Sequence, residues 1–248
     1  MDRTLPLADK RILITRSKEQ ARYFSTQIQA LGGTSLEVPL IQFQRVSESV
    51  ISSAEIEESL PHYEWIVFTS VNGVKYFFEM FDGLLSNRIA VVGIKTKSAL
   101  EALGYTVDMV PERFSAEDLV ECFEKVTPSS VLLIQGNLAR PLLREELSRI
   151  GYNVKQIVVY ENQLRVPEEK EMTVLKKGQV DLYTFTSPST VHNFIKLFGL
   201  PDGPVATIGP ITKQAAEQAG VEVSISPAEY TMDGLLAEIV QYFQREDT

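Results

Sequence analysis

Residues Ala90 to Glu121 read AVVGIKTKSALEALGYTVDMVPERFSAEDLVE, and residues Thr207 to Glu238 read TIGPITKQAAEQAGVEVSISPAEYTMDGLLAE. Gly93, Thr96, Gly104, Pro111 and Leu119 of the first recur as Gly209, Thr212, Gly220, Pro227 and Leu235 of the second, 116 residues on and without a gap. A stretch written twice predicts two structures of the same kind in one chain.

Each copy sits in a rhythm of short apolar runs and amphipathic segments. Arg11 to Thr15, Trp65 to Thr69 and Ile89 to Gly93 read as strands, as do Val131 to Gln135 and Leu182 to Thr186. Continuous apolar runs of this length fit strands covered on both faces of a parallel sheet. Between them, Ala21, Phe24, Ile28 and Leu31 form one helical stripe closed by Gly32-Gly33, and Leu142, Leu143, Leu147 and Ile150 form another before Gly151. Further strands are expected at Leu36 to Pro39 and Val107 to Val110. FTSVNGV at Phe68 is answered by FTSPSTV at Phe185. The expected fold is α/β, with five strands in each half: two flavodoxin-like doubly wound parallel-sheet lobes arising by internal duplication.

The lobes are not expected to be consecutive. Only Thr127, Pro128 and Ser129 separate the halves, an ordinary helix-to-strand loop. The long polar segments lie instead at Ser47 to His62 and Leu164 to Gly178. Before each is an alternating stretch, Ile41 to Val46 and Val159 to Gln163, patterned like a strand with one exposed face. The spacing predicts interleaving: residues 1–40 with 166–248 form one lobe, 50–158 the other, and 41–49 and 159–165 are hinge strands. A cut near Pro128 into two consecutive domains is the alternative.

Composition narrows the function. A chain of 248 residues with 44% hydrophobic and 23% charged residues suits an ordinary globular protein. Its net charge of −9, with 24 Lys and Arg scattered, argues against nucleic acid as partner. No apolar run is long enough for a membrane span, and MDRTLPLADKR lacks a leader's apolar core, so a cytoplasmic protein is expected. The single cysteine, Cys122, cannot form an internal disulfide, and no clustered His and carboxylates suggest a metal. Neither a Walker loop nor a GxGxxG fingerprint is present.

In a doubly wound sheet, ligands collect at the carboxyl ends of strands, where helix N-termini offer free N–H groups. Those ends carry Thr15-Arg16-Ser17, Thr69-Ser70, Gly93 to Thr96, Gln135-Gly136-Asn137, Thr186-Ser187 with Ser189, and Gly209 to Thr212. Each suits a helix cap as well as a ligand contact. Arg16, Lys95, Arg140 and Lys213 are the nearby cations, and Arg16 follows a buried strand directly. His62 and His192 sit in no catalytic context, whereas Tyr160 lies on a hinge strand. On residues alone, a two-lobed anion-binding sensor without chemistry is as open as an enzyme.

ILITR, VFTSVNGV, VVGIKTKSALEALGY, VPERFSAEDLVE, IVVYEN, FTSPSTV and IGPITKQAAEQAGV, in this order over nearly the whole chain, resemble uroporphyrinogen-III synthases. The resemblance implies interleaved lobes joined by a two-stranded ladder and a cofactor-free, monomeric lyase of haem biosynthesis. Its substrate would be hydroxymethylbilane, a linear tetrapyrrole with eight carboxylates, closed to uroporphyrinogen III with loss of water and inversion of the last ring through a spiro intermediate. The family's tyrosine falls on Tyr160, where it assists departure of the terminal hydroxyl. Its cleft hydroxyls fall on Ser70, Thr96, Ser187 and Thr212. Val71 and Asn72 stand where many members carry Pro and a basic residue.

Overall fold

The computed structural model describes residues 5–177 and 180–246, so the end of the polar segment at Gly178 lies outside the described residues. The chain divides into two compact units, one built from the residues up to Gln42 and from Gln163 onward, the other from Phe43 to Asn162. In chain order the first unit begins with β1 (Arg11–Ile14), α1 (Lys18–Ala30) and β2 (Thr34–Glu37), and β3 (Ile41–Arg45) leads out of it. The second unit holds α2 (Ser53–Ser59), a 3-10 turn at Leu60–His62, β4 (Trp65–Phe68), α3 (Val71–Phe78), β5 (Arg88–Val91) and α4 (Ile94–Glu101). It continues with α5 (Ala116–Phe123), β6 (Ser130–Gly136), α6 (Leu142–Arg149) and β7 (Asn153–Leu164). The chain then completes the first unit with α7 (Glu169–Lys177), β8 (Leu182–Phe185), α8 (Pro188–Phe198), β9 (Val205–Thr207), α9 (Pro210–Gln218) and α10 (Met232–Glu246).

The first unit carries a four-stranded parallel sheet in the order β2-β1-β8-β9. Strand alternation sends Ile12 and Ile14 to a face packed with Phe24, Ile28 and Phe243, and Leu13 to a face packed with Phe185 and Phe194. In the second unit the order is β3-β7-β6-β4-β5, with β4, β5, β6 and β7 parallel. Ile66 and Phe68 enter one core with Phe77 and Leu100, while Trp65 and Val67 enter the other with Phe123 and Leu147. Trp65, Phe68, Phe77 and Phe123 are completely buried, and each stabilises its core by about 1.5–3 kcal/mol. In both units a strand-helix-strand piece from one half of the chain, β1-α1-β2 or β6-α6-β7, pairs with a strand from the other half, β8 or β4.

The two copies of the repeated stretch form matching elements. Gly93 and Gly209 are the N-caps of α4 and α9, and Gly104 and Gly220 take φ of 87° and 83°, left-handed turns that favour glycine. The expected fifth strand, however, shrinks in each unit to one bridge, Ala90 with Met109 and Ala206 with Ile225. A side chain explains why. Asp108 Oδ2 accepts the Ile89 N–H at 2.8 Å, and Ser224 Oγ accepts the equivalent Val205 N–H at 3.4 Å, in the place of a strand carbonyl.

Two further expectations change. The polar segment after Leu164 is largely the helix α7. The alternating stretch at Val159 is the continuation of one twelve-residue strand, β7, whereas the equivalent run in the first unit breaks at Pro39, which has no N–H to offer a ladder. β3 lies beside β7 in the sheet order. The Val46 N–H bonds to the Val159 carbonyl and the Arg165 N–H to the Leu40 carbonyl, so these two strands run antiparallel.

Arg165 is the anchor of this corner of the first unit. Its guanidinium grips Glu171 with two prongs, at 2.7 and 3.2 Å, and donates to the Pro39 carbonyl at 3.1 Å. Asn193 Nδ2 adds a bond to the Leu40 carbonyl at 2.9 Å. Burial alone would push the Glu171 carboxyl up, but hydrogen bonds from Arg165 and the Glu168 N–H, with the Arg165 charge, hold it below its ordinary value of 4.5. A depressed folded value means that this stabilisation is full above pH 4.5 and drains as pH falls through the folded value. Arg165→Met, which strands Glu171, is expected to destabilise the first unit by about 2 kcal/mol at neutral pH in urea titrations. The loss should shrink below pH 4.5, and an unchanged midpoint at pH 7 would remove Arg165 from this role.

Candidate active site

In open parallel sheets the crevice forms where two connections leave in opposite directions, beyond the carboxyl ends of neighbouring strands. In the second unit that point lies between β6 and β4, and the residues there are Gln135-Gly136 and Thr69-Ser70. Ser70 is the N-cap of α3, its Oγ accepting the Gly73 N–H at 3.0 Å. The same oxygen lies 3.1 Å from the Tyr160 hydroxyl. Tyr160 is therefore tied to a helix N-terminus, which favours negative charge nearby.

A β-bulge brings the phenol there. Along β6 and β7, Ile134 pairs with Ile157 and Gln135 with Val158, but Gly136 pairs with Tyr160, skipping Val159. Regular alternation would put Tyr160 on the face opposite Ile157; the extra residue turns it to the same face. There its ring stacks on Tyr76 at 5.6 Å and meets Phe43 edge-on at 5.8 Å. Tyr76 is itself fixed, its hydroxyl donating to the Phe43 carbonyl at 2.7 Å. Gly136 closes the mount, since a Cβ there would fall 2.5 Å from the ring's Cζ.

The neighbours of these residues face the other way. Thr69, adjacent to Ser70, and Gln135, adjacent to Gly136, line a pocket of about 370 Å³ with Phe114, Leu142 and Arg140. Thr96 is buried in the first turn of α4, apart from the Tyr160 cluster, with its N–H bonded to the Gly93 carbonyl. So Ser70, Gly136 and Tyr160 converge, and Gln135 borders them.

In the first unit the equivalent edge carries Arg16 after β1 and Ser187 after β8. Ser187 is the N-cap of α8, 3.0 Å from the Ser189 hydroxyl. Gly209 is the N-cap of α9, and Thr212 is buried in that helix's first turn. Arg16 bonds Gln20 Oε1 at 3.3 Å through Nε and Nη2, and Nη1 lies 2.8 Å from the Met232 sulfur. Burial pushes its guanidinium down from the usual arginine value, yet among the described residues it has no carboxylate partner. A half-buried arginine without a carboxylate is suited to a ligand's.

Among the described residues, no group of three or more His, Cys, Asp or Glu could hold a metal ion, and no helix is long and apolar enough to cross a membrane. Sequence reading missed Tyr76, Phe43 and Phe114. Tyr76 looks like any core residue of an amphipathic helix. Phe43 was visible only as part of an alternating strand.

The family profile described as uroporphyrinogen-III synthase HemD matches residues 23–237. A uroporphyrinogen-III synthase of Synechococcus elongatus is 29% identical over 257 residues, covering 96% of this chain and 97% of its own. That of Chlorobaculum parvum is 28% identical over 237 residues, covering 88% and 93%. The crystal structure of uroporphyrinogen-III synthetase from Helicobacter pylori 26695 has a TM-score of 0.69 at 20% identity over 94% of this chain and 99% of that chain, a likeness of fold. With a profile running from within α1 into α10 and relatives matched nearly end to end, the chain belongs to the uroporphyrinogen-III synthase family.

Proposed function

We propose that this chain is a hydro-lyase that closes hydroxymethylbilane to uroporphyrinogen III, with Tyr160 assisting loss of the terminal hydroxyl. Family membership supports the activity. The observation that carries the mechanistic reading is the Tyr160 hydroxyl, held 3.1 Å from an N-cap serine at the carboxyl edge of a parallel sheet. Expulsion of hydroxide from the terminal CH2OH is driven by the pyrrole nitrogen, and a phenol O–H lets it depart as water. The resulting methylene carbon is then attacked by the substituted carbon of the last ring, giving a spiro intermediate. Its fragmentation and reclosure invert that ring, and loss of a ring proton restores aromaticity.

Most of the task is folding a flexible chain so that the substituted carbon attacks, which is positioning rather than bond chemistry. Arg16, Ser70, Thr96, Gln135, Gly136, Ser187, Ser189, Gly209 and Thr212 are the proposed substrate contacts, and no cofactor is required. Each unit offers helix N-termini, α3 and α4 in the second and α8 and α9 in the first, as N–H donors suited to carboxylates despite the chain's net charge of −9. We read the two compact units as duplicated, interleaved flavodoxin-like lobes with β3 and β7 as the connecting strands. The shared order of strands around β1 and β6 supports this.

Incubation with hydroxymethylbilane, followed by oxidation and isomer separation, is expected to yield the type III porphyrin. Type I alone, at the rate of a buffer blank, would refute the activity. Tyr160→Phe should lower kcat about 10- to 100-fold with KM little changed and some type III still formed, because the phenol assists a step that is already facile. Complete loss with an intact fold would instead make acid catalysis obligatory. Gly136→Ala should lower kcat by about tenfold by displacing the phenol ring. Added to Tyr160→Phe, it should cost little more, whereas full additivity would mean that Gly136 does not act through Tyr160.

A further inference from the structure

The pocket between α5 and α6 in the second unit has features that capping and core packing leave unexplained. Phe114 stands at its mouth with φ of 53°, a left-handed conformation that a bulky residue adopts only at an energetic cost, and it is 50% exposed. A strained backbone that holds a large aromatic ring half in solvent does nothing for the core. The floor is polar: Thr69 at the end of β4, and Gln135, 97% buried, on β6. At the rim, Arg140 meets, among the described residues, only the Glu117 carboxylate, at 3.2 Å, with the two side chains 70% and 50% exposed, a weak pair that a ligand carboxylate can displace. The remaining charges nearby engage one another, Arg113 with Asp118 and Glu121. Ser115, which caps α5, is likewise engaged with Asp118.

We infer that this pocket is a subsite for one carboxylate-bearing pyrrole ring, which lies against Phe114 with its carboxylate at Arg140. Gln135 and Thr69 are the acceptors within reach of a ring N–H at the floor. The volume of about 370 Å³ falls in the small-molecule range. Because Thr69 and Gln135 are the direct chain neighbours of Ser70 and Gly136, a ring seated here lies across the sheet edge from the side that carries the Tyr160 hydroxyl. The inference rests on the tetrapyrrole reading above, yet its test is separable.

The probe is a monopyrrole bearing one acetate and one propionate, titrated into the isotopically labelled full chain up to about 10 mM and followed by amide NMR. Shifts centred on Thr69, Phe114 to Ala116 and Gln135 are expected; shifts elsewhere, or none, overturn the subsite. If they appear there while the enzyme assay yields no type III isomer, the activity fails and the pocket stands. Arg140→Gln should raise KM for the linear tetrapyrrole about three- to tenfold with kcat within about twofold. Phe114→Gly should raise KM about tenfold while the thermal midpoint holds or rises, since glycine accepts the left-handed φ freely. A simple structural role for Phe114 predicts the reverse, a falling midpoint at unchanged KM, and that result also ends the proposal.

Discussion

Strands buried on both faces impose the constraint from which the rest of this protein follows. With Ile12, Leu13 and Ile14, or Trp65 to Phe68, entirely packed between helices, a polar group on either sheet face is costly unless it finds a partner, a cost that the buried and unpartnered Trp65 indole N–H bears. Polar chemistry is pushed to the carboxyl edge, where the strands run out and the helices begin. There Thr15, Thr69, Ser70, Gln135 and Ser187 stand, each within a residue or two of the last buried apolar side chain. The edge supplies both hydroxyls and helix N-termini, so capping and anion contact draw on the same groups.

Period-two alternation also divides that edge. Consecutive residues point to opposite faces, so Thr69 and Gln135 look into the pocket by α5 and α6 while Ser70 and Gly136 look toward the aromatic mount. Tyr160 would sit on the wrong side were β7 regular. A single extra residue at Val159 corrects its facing, and four neighbours then hold the ring: Tyr76 and Phe43 by stacking and edge contact, Ser70 at the hydroxyl, Gly136 by making room. A phenol held on so many sides keeps little rotational freedom.

This also accounts for what could be read in advance. Continuous apolar runs announced a parallel α/β protein, and small residues after them marked the strand ends, because both signals are local. The bulge was invisible, since Gln156-Ile157-Val158-Val159-Tyr160 carries no glycine or proline and its irregularity exists only relative to β6. The missing fifth strands were equally hidden: Val107 to Val110 has strand composition, but that Asp108 turns its carboxylate as well as its backbone N–H to Ile89 depends on the partner strand. Tyr76 and Phe114 were passed over for opposite reasons. The first resembles ordinary core, and the second lies in a loop whose backbone strain no composition reveals.

The two units differ where equivalent positions should match, and the difference has a physical sense. Counting from the paired residues Arg11–Thr34 and Ser130–Asn153, Gly136 corresponds to Ser17. In the first unit the run opposite is broken by Pro39 and continues through the buried Leu40, an aliphatic residue where the second unit has an aromatic one, and a side chain at position 17 is tolerated. In the second unit the strand is unbroken, the ring of Tyr160 crosses the edge, and only glycine leaves space beneath it. Gly136 and Tyr160 thus form one solution to one packing problem, solved in the unit that carries the phenol. The Leu40 carbonyl, meanwhile, accepts bonds from both the Arg165 backbone and Asn193, which ties the corresponding corner of the first unit down. Where the second unit holds the Tyr160 hydroxyl at its edge, the first presents a braced turn, a difference that follows from a proline in one unit and a bulge in the other.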